Sequence, residues 1–284
     1  MPETLLLTRE LVRRLLLVDA AYYRSRLEVI RGPEGGPSRI EIRQEGEVFA
    51  AFRPGMPVDS NRLIGLGAGD EGRVADLLDW YAERGVTAQV ELPPGDLTPA
   101  LADELHRHGY RQTGFHAVLA APATRRLTGP DAAIEVVTRP ATMEEFLDAY
   151  LAGWDMPEQW RAGARTNMRR WLGLPGWTLY LARRDGAPAA AAIGYVADGV
   201  GYLADATTHP DHRGHGLQRA LLCRRFADAV TAGADVVFSQ AAPLSTSCRN
   251  MIRVGMDLLY HRAHWTRDAY GGARRRGRRR DRRS

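Results

Sequence analysis

Residues 208–218 read Thr208-His209-Pro210-Asp211-His212-Arg213-Gly214-His215-Gly216-Leu217-Gln218. A β-type run (200–207) precedes this stretch and an amphipathic pattern of helical period (217–232) follows it, so it turns a strand into a helix. At such a junction consecutive backbone N–H groups point outward and glycines let a ligand approach the backbone closely. The helix dipole reinforces the field, and the result is an anion site suited to a pyrophosphate. The glycines alone would fit a turn that merely starts a helix. The order of elements around them has to decide.

Working outward, the second half begins with a strand over 134–138. Thr142, three residues before Glu145, predicts a capping box opening a helix that runs to about Trp154. A second helix covers 157–172. Strands follow at 177–183, 189–197 and 200–207, joined by hairpin turns at Asp185-Gly186 and Asp198-Gly199. Beyond the quoted stretch come a strand at 235–240, a helix at 247–253 and a strand at 257–266. The first half reads as a helix over 8–23, β-like runs at 39–43, 48–53 and 62–66, a helix at 70–84, a strand at 87–92, a helix at 98–108 and a strand at 115–120. Residues 121–133, rich in Ala, Pro, Thr, Arg and Gly, predict a linker. Both halves end on a short helix, a glycine (Gly109, Gly255) and a strand, as if one unit had been duplicated.

In this context the stretch resembles the pyrophosphate loop of the GNAT superfamily of acyl-CoA-dependent N-acyltransferases, Gln/Arg-x-x-Gly-x-Gly/Ala. Arg213 and Gly216 match, and Gln218 stands where Gly or Ala is usual. The resemblance spans roughly 134–267. It implies an α/β chain of two GNAT-like mixed-sheet domains in tandem, a degenerate one over 1–125 and one with the acyl-donor site over 134–268. It further implies acetyl-CoA or another acyl-CoA as co-substrate, contacted by Thr208, His209, Arg213, Gly214, His215, Gly216, Gln218 and Asn250, and a small-molecule amine as acceptor. The family's later signature, Tyr-x-x-x-Gly-Phe, is only partly present: Gly255 matches, but Met251 and Met256 replace the aromatics. The role of that tyrosine, protonating the departing thiolate, is therefore unassigned. Ser245, Ser247 and Asn250 are polar groups nearby that serve equally well as helix-capping residues.

For the base, the family places acceptor-facing residues at Tyr202 and Ala204. Strand alternation puts Tyr202, Ala204, Ala206 and Thr208 on one face and Leu203, Asp205 and Thr207 on the other. Tyr202 is expected to line the site, and Asp205 is eligible as base only if a bulge turns it inward.

Other signals weigh against these. Gly67-x-Gly69-x-x-Gly72 followed by Glu91 is a literal dinucleotide fingerprint, and reads better as a degenerate copy of the second loop. His209, His212 and His215 lack the carboxylate or cysteine partners of a metal site. Trp154, Trp160, Trp171 and Trp177 predict core, with one or two lining an acceptor pocket.

The chain has 284 residues with 44% hydrophobic content, and all 39 basic residues are Arg, so Arg richness by itself says little. Two cysteines, Cys223 and Cys248, fit no disulfide framework and predict a cytoplasmic protein. Charges interrupt the N-terminal leucines, which excludes a membrane span. Residues 271–284 hold eight Arg and one Asp; against +5 overall, the remainder carries −2. That tail reads as a disordered terminus or as a phosphate-binding arm for tRNA. An aminoacyl-tRNA-dependent transferase on the same fold and a non-catalytic CoA-sensing protein therefore stand beside the N-acyltransferase reading.

Overall fold

The computed structural model describes residues 5–31 and 40–267; the Arg-rich tail, with its tRNA reading, lies outside them. In chain order the first half comprises α1 (Arg9–Arg31), β1 (Glu41–Glu45), β2 (Val48–Phe52), β3 (Arg62–Ile64), α2 (Val74–Ala82), β4 (Gln89–Leu92), α3 (Pro99–Arg107) and β5 (Tyr110–Pro122). The second comprises β6 (Ala133–Val136), α4 (Pro140–Gly153), α5 (Glu158–Met168), β7 (Trp177–Arg184), β8 (Ala187–Ala197), β9 (Val200–Thr208), α6 (Leu217–Thr231), β10 (Val236–Ala241), α7 (Thr246–Val254) and β11 (Asp257–Arg267).

Helix α1 runs eight residues past the expected end because Leu27 and Ile30 continue its apolar stripe and are buried. Helix α4 departs from its expected start. Pro140 takes the first turn, Arg139 is the N-cap without a side-chain bond, and Thr142 is buried instead of capping. The ring of Pro140 presets the helical φ, which makes the capping box unnecessary. The hairpin turns form as expected, with Asp185, Gly186, Asp198 and Gly199 all at φ between 50° and 80°.

All strands of the described residues join one sheet in the order β1-β2-β3-β4-β11-β5-β10-β9-β8-β7-β6. Each half is a mixed α/β unit containing one parallel pair, β3 with β4 and β9 with β10, so the expected tandem fold class holds. The closing strands, however, are exchanged. The first half's β5 pairs with β10, placing Val118 opposite Gln240, while the second half's β11 pairs with β4, placing Ala263 opposite Leu92. The two exchanged strands also pair with each other. Hydrogen-bonded on both edges, β5 extends well beyond the 115–120 expected of it.

One face of the sheet is covered by α1 and α4, where Leu15, Val18, Tyr22 and Phe146 pack against Val118, Tyr202 and Phe238. The other is covered by α6 and α7, with Leu222, Phe226 and Met251 against Leu119, Leu203 and Val237. Helix α1 of the first half thus contributes to the second half's core, while Leu16, Tyr23 and Leu27 on its other side pack on Phe49 and Ile64 of its own half. The segment expected as a linker is packed as well. Leu127 is buried, the Thr128 N–H donates to Val254 O (3.0 Å), and Pro130 lies against Gly216. No helix among the described residues is long and apolar enough to cross a membrane.

Candidate active site

Strands β9 and β10 pair only at Val200, Gly201 and Tyr202 opposite Val236, Val237 and Phe238, and then part. Two side chains bond to the backbone where the strands part. Ser239 Oγ donates to Leu203 O (2.7 Å), taking a carbonyl that a longer ladder would have used. On the β8 side, Ala192 pairs with Ala206 and Gly194 with Leu203, so Ala204 and Asp205 together oppose Ile193 alone: β9 carries a bulge. Arg225 of α6 donates to Ile193 O (2.9 Å) and Ala204 O (3.3 Å), bracing the bulge from behind. Burial pulls its guanidinium down to about 10. Sequence reasoning missed Arg225; the available signal was an arginine beside Leu221, Leu222 and Phe226 on the apolar face of a helix.

The splay opens a cleft of about 1160 Å³. Thr208, Arg213, Gly214, His215, Gly216, Gln218 and Asn250 line it toward α6 and α7, and Trp154, Tyr202, Asp205, Gln240 and His116 line it elsewhere. His209 is not among them; it borders a separate groove with Asp148 and Arg161. Of the tryptophans, Trp154 is half exposed in the cleft and Trp160 half exposed outside it, whereas Trp171 and Trp177 are buried.

The loop is shaped by two left-handed glycines, Gly214 (φ 85°) and Gly216 (φ 78°). A Cβ at Gly216 would stand 2.8 Å from Pro130 Cγ, whereas at Gly214 it would meet open space. Arg213 is tied back, its Nε to Thr208 O (3.3 Å) and its Nη2 to Gly153 O (3.2 Å). Among the described residues, none of the backbone N–H groups of residues 214–219 donates to a protein acceptor. Six consecutive donors at the start of a 15-residue helix fit a pyrophosphate. Gln218 clasps α6 to α7, donating to Ser247 Oγ (2.9 Å) and accepting from Asn250 Nδ2 (2.6 Å). Met251, in the slot of the family's tyrosine, is buried and lines the cleft, and Ser245 is occupied capping α7 through the Cys248 N–H (3.1 Å).

The corresponding loop of the first half is closed by its own carboxylates. Asp70 Oδ2 accepts from the Gly67 N–H and Glu71 Oε2 from the Gly69 N–H, both at 2.9 Å, while Thr98 Oγ1 holds Glu71 Oε1 (3.0 Å). Negative charge already fills the positions where a phosphate would sit.

On the face of α1 and α4, Asp205 Oδ2 accepts three hydrogen bonds, from Arg26 (2.6 Å), Tyr150 Oη (2.9 Å) and Tyr22 Oη (3.2 Å). Oδ1 has no partner among the described residues. The bulge removes the alternation that would have turned Asp205 away, so Tyr202 and Asp205 border the same cleft. Tyr202 stacks on Phe238 (centroids 4.5 Å apart), its Oη accepts from Gln240 Nε2 (2.7 Å), and burial raises its phenol well above the ordinary value. Tyr22 and Arg26 come from the first half, and no local pattern linked them to this site.

Residues 120–238 match the family profile described as the acetyltransferase (GNAT) domain. No curated protein matches the sequence. A GCN5-related N-acetyltransferase from Kribbella flavida is similar in fold, with TM-score 0.60 and 19% identity over 89% of this chain and 96% of that one. So is a tandem GNAT protein from the clavulanic acid biosynthesis pathway, with TM-score 0.59 and 15% identity over 90% and 96%. A GCN5-related N-acetyltransferase from Sphaerobacter thermophilus gives TM-score 0.57 and 17% identity over 90% and 91%. The family profile thus falls on the strands that bear the splay and the bulge, and the chain is similar to GNAT acetyltransferases in that segment and in fold.

Proposed function

We propose that the protein transfers an acyl group, most simply acetyl, from acyl-CoA bound in the second half to the amine of a small molecule. The observation that carries this reading is the contrast between the two loops: free N–H groups at 214–219 and carboxylate-capped ones at Gly67 and Gly69. The pyrophosphate would lie on the N-terminus of α6, against Gly214 and Gly216. The pantetheine arm would run in the splay, where β9 beyond Leu203 offers a strand edge unpaired by β10 and its amides can add as a partial strand. Such an edge also supplies fixed N–H dipoles to an oxyanion formed at the thioester carbon. The acceptor would enter from the side of Trp154 and Asp205, whose unpartnered Oδ1 can accept from an ammonium group. Nothing in the site or the comparisons favours an RNA acceptor.

The experiment imports the first half's device into the second. His215 is exposed on the loop and has ordinary φ, so His215→Asp places a carboxylate beside the free N–H groups without strain. CoA affinity by calorimetry should fall at least tenfold while thermal stability is kept. Undiminished affinity in the folded variant would place the donor elsewhere.

A further inference from the structure

His116 is a cleft residue brought in from the other half of the molecule. It lies on β5, the strand the first half lends to the second half's sheet, and lines the cleft together with Tyr202, Ser239 and Gln240. Its cross-strand partner is Arg262, and its ring meets that of His264 edge-on, centroids 4.4 Å apart. Neither ring nitrogen takes a hydrogen bond from or gives one to a described residue, and neither is a sealed, unpartnered atom such as His264 Nε2. His116 therefore brings an imidazole with unengaged, solvent-reachable nitrogens to the lining of the cleft.

The neighbouring phenol and carboxylate are engaged otherwise, and Asp205 Oδ1 serves to hold the ammonium. Tyr202 is held protonated by burial, and Asp205 Oδ2 is occupied by a guanidinium and two phenols. We propose that His116 is the base that accepts the proton of the acceptor's ammonium group, an inference that rests on the acyl-transfer reading above. In the step, an imidazole nitrogen of His116 takes one proton from R–NH3+, leaving R–NH2. The amine lone pair forms the N–C bond at the thioester carbon. The tetrahedral oxyanion then collapses, the C–S bond breaks, and the electron pair leaves on sulfur. The second amine proton ends on the thiolate, and the proton held by His116 passes to solvent, so the products are the amide, CoA–SH and one H+.

The surroundings keep the imidazole neutral and ready to accept. Burial lowers its pKa, Arg262 on β11 and Arg62 on β3 act in the same direction, and Glu91 on β4 and Asp19 on α1 act against them. His264 on β11, the ring in contact, is itself neutral, lowered to about 4 chiefly by burial. The base form thus persists below the ordinary histidine value.

The test joins a titration to kinetics on the full chain. Ring 15N spectra, with His116 assigned by its loss in His116→Gln, should show it titrating below pH 6.5 and shifting on addition of acetyl-CoA. With acetyl-CoA as donor, n-butylamine and 2-phenylethylamine arrive as ammonium ions, whereas hydroxylamine is neutral at pH 7.5 and needs no base. His116→Gln should lower kcat/KM for the alkyl amines about a hundredfold or more and erase the acidic limb of the pH profile. Hydroxylamine acetylation and acetyl-CoA affinity should stay within threefold. A His116 that titrates above pH 6.5, or alkyl-amine kcat/KM within threefold of wild type with the limb intact, overturns the proposal. If the wild-type protein acetylates none of the three amines, the acyl-transfer reading is the one that suffers, and the titration alone decides the state of His116.

Discussion

Arg26 of α1 donates to Asp205 Oδ2 at 2.6 Å, so a residue near the start of the chain holds the carboxylate that sits on the bulge of β9. Both side chains are largely shielded, at 19% and 26% exposure. Asp205→Asn leaves the guanidinium without its counter-charge and should cost roughly 1–3 kcal/mol, less than a fully buried pair because water still reaches it. Arg26→Met combined with Asp205→Asn should recover part of that loss. A double-mutant cycle in urea measures it, and strict additivity would show that the pair is not coupled.

The two glycines of the loop should respond differently to the same change. Both have positive φ, so alanine at either is strained by about 1 kcal/mol. Only at Gly216 does the new methyl also strike Pro130. Gly216→Ala should therefore unfold at a clearly lower temperature than Gly214→Ala, by calorimetry, and equal losses would mean that the packed 123–132 segment yields freely.

Binding stoichiometry follows from a first loop that is capped by carboxylates and also has Ile64, three residues before Gly67, where the second has Arg213, three before Gly216. Isothermal titration should give one CoA per chain, and the double variant Asp70→Ala, Glu71→Ala should keep that number, since uncapping alone does not restore Arg213's counterpart. Two sites in the wild-type protein, or NAD binding near Gly67, would contradict it.

Exchange of β5 and β11 predicts that the halves, proposed here as two units, cannot part. A protease site inserted at exposed Asp131 should yield two fragments that run as one particle and separate only in denaturant. Expressed alone, 134–267 lacks the strand that pairs with β10 and should aggregate through that open edge. Independent folding of this fragment would show that the exchange is dispensable.

Acid should destabilise the fold in a defined window. His264 is lowered to about 4, so between about pH 6.5 and pH 4 the unfolded chain binds a proton that the folded chain does not. Stability contributed by neutral His264, at most about 3 kcal/mol, is complete above 6.5 and lost as pH falls through that window. Below it the carboxylates take over: burial raises Asp19 and Glu91, but Arg62 and Arg262 outweigh it and hold both below their ordinary values. Urea midpoints of wild type and His264→Gln should diverge above pH 6 and converge toward pH 4; a constant difference would relocate the titration.

Local chemistry was enough to find the loop at 213–218, the hairpins at Asp185-Gly186 and Asp198-Gly199, the tandem order and most of the residues on the α6 side of the cleft. Each depends on a few neighbouring residues: a glycine that must take positive φ, a helix that must begin, an apolar face with a period. Sequence also stated the condition for Asp205, a bulge, without being able to decide it, because a bulge depends on how many residues the partner strand supplies. Only the tertiary structure decided the exchange of β5 and β11, and with it everything the first half gives to the second. His116, Tyr22 and Arg26 lie far from Asp205 along the chain and carry no shared motif. They reach the cleft and Asp205 because β5 completes the edge of β10 and α1 buries Leu11 and Leu15 on the same sheet face, pairings made by long-range hydrogen bonding and burial rather than by any local preference.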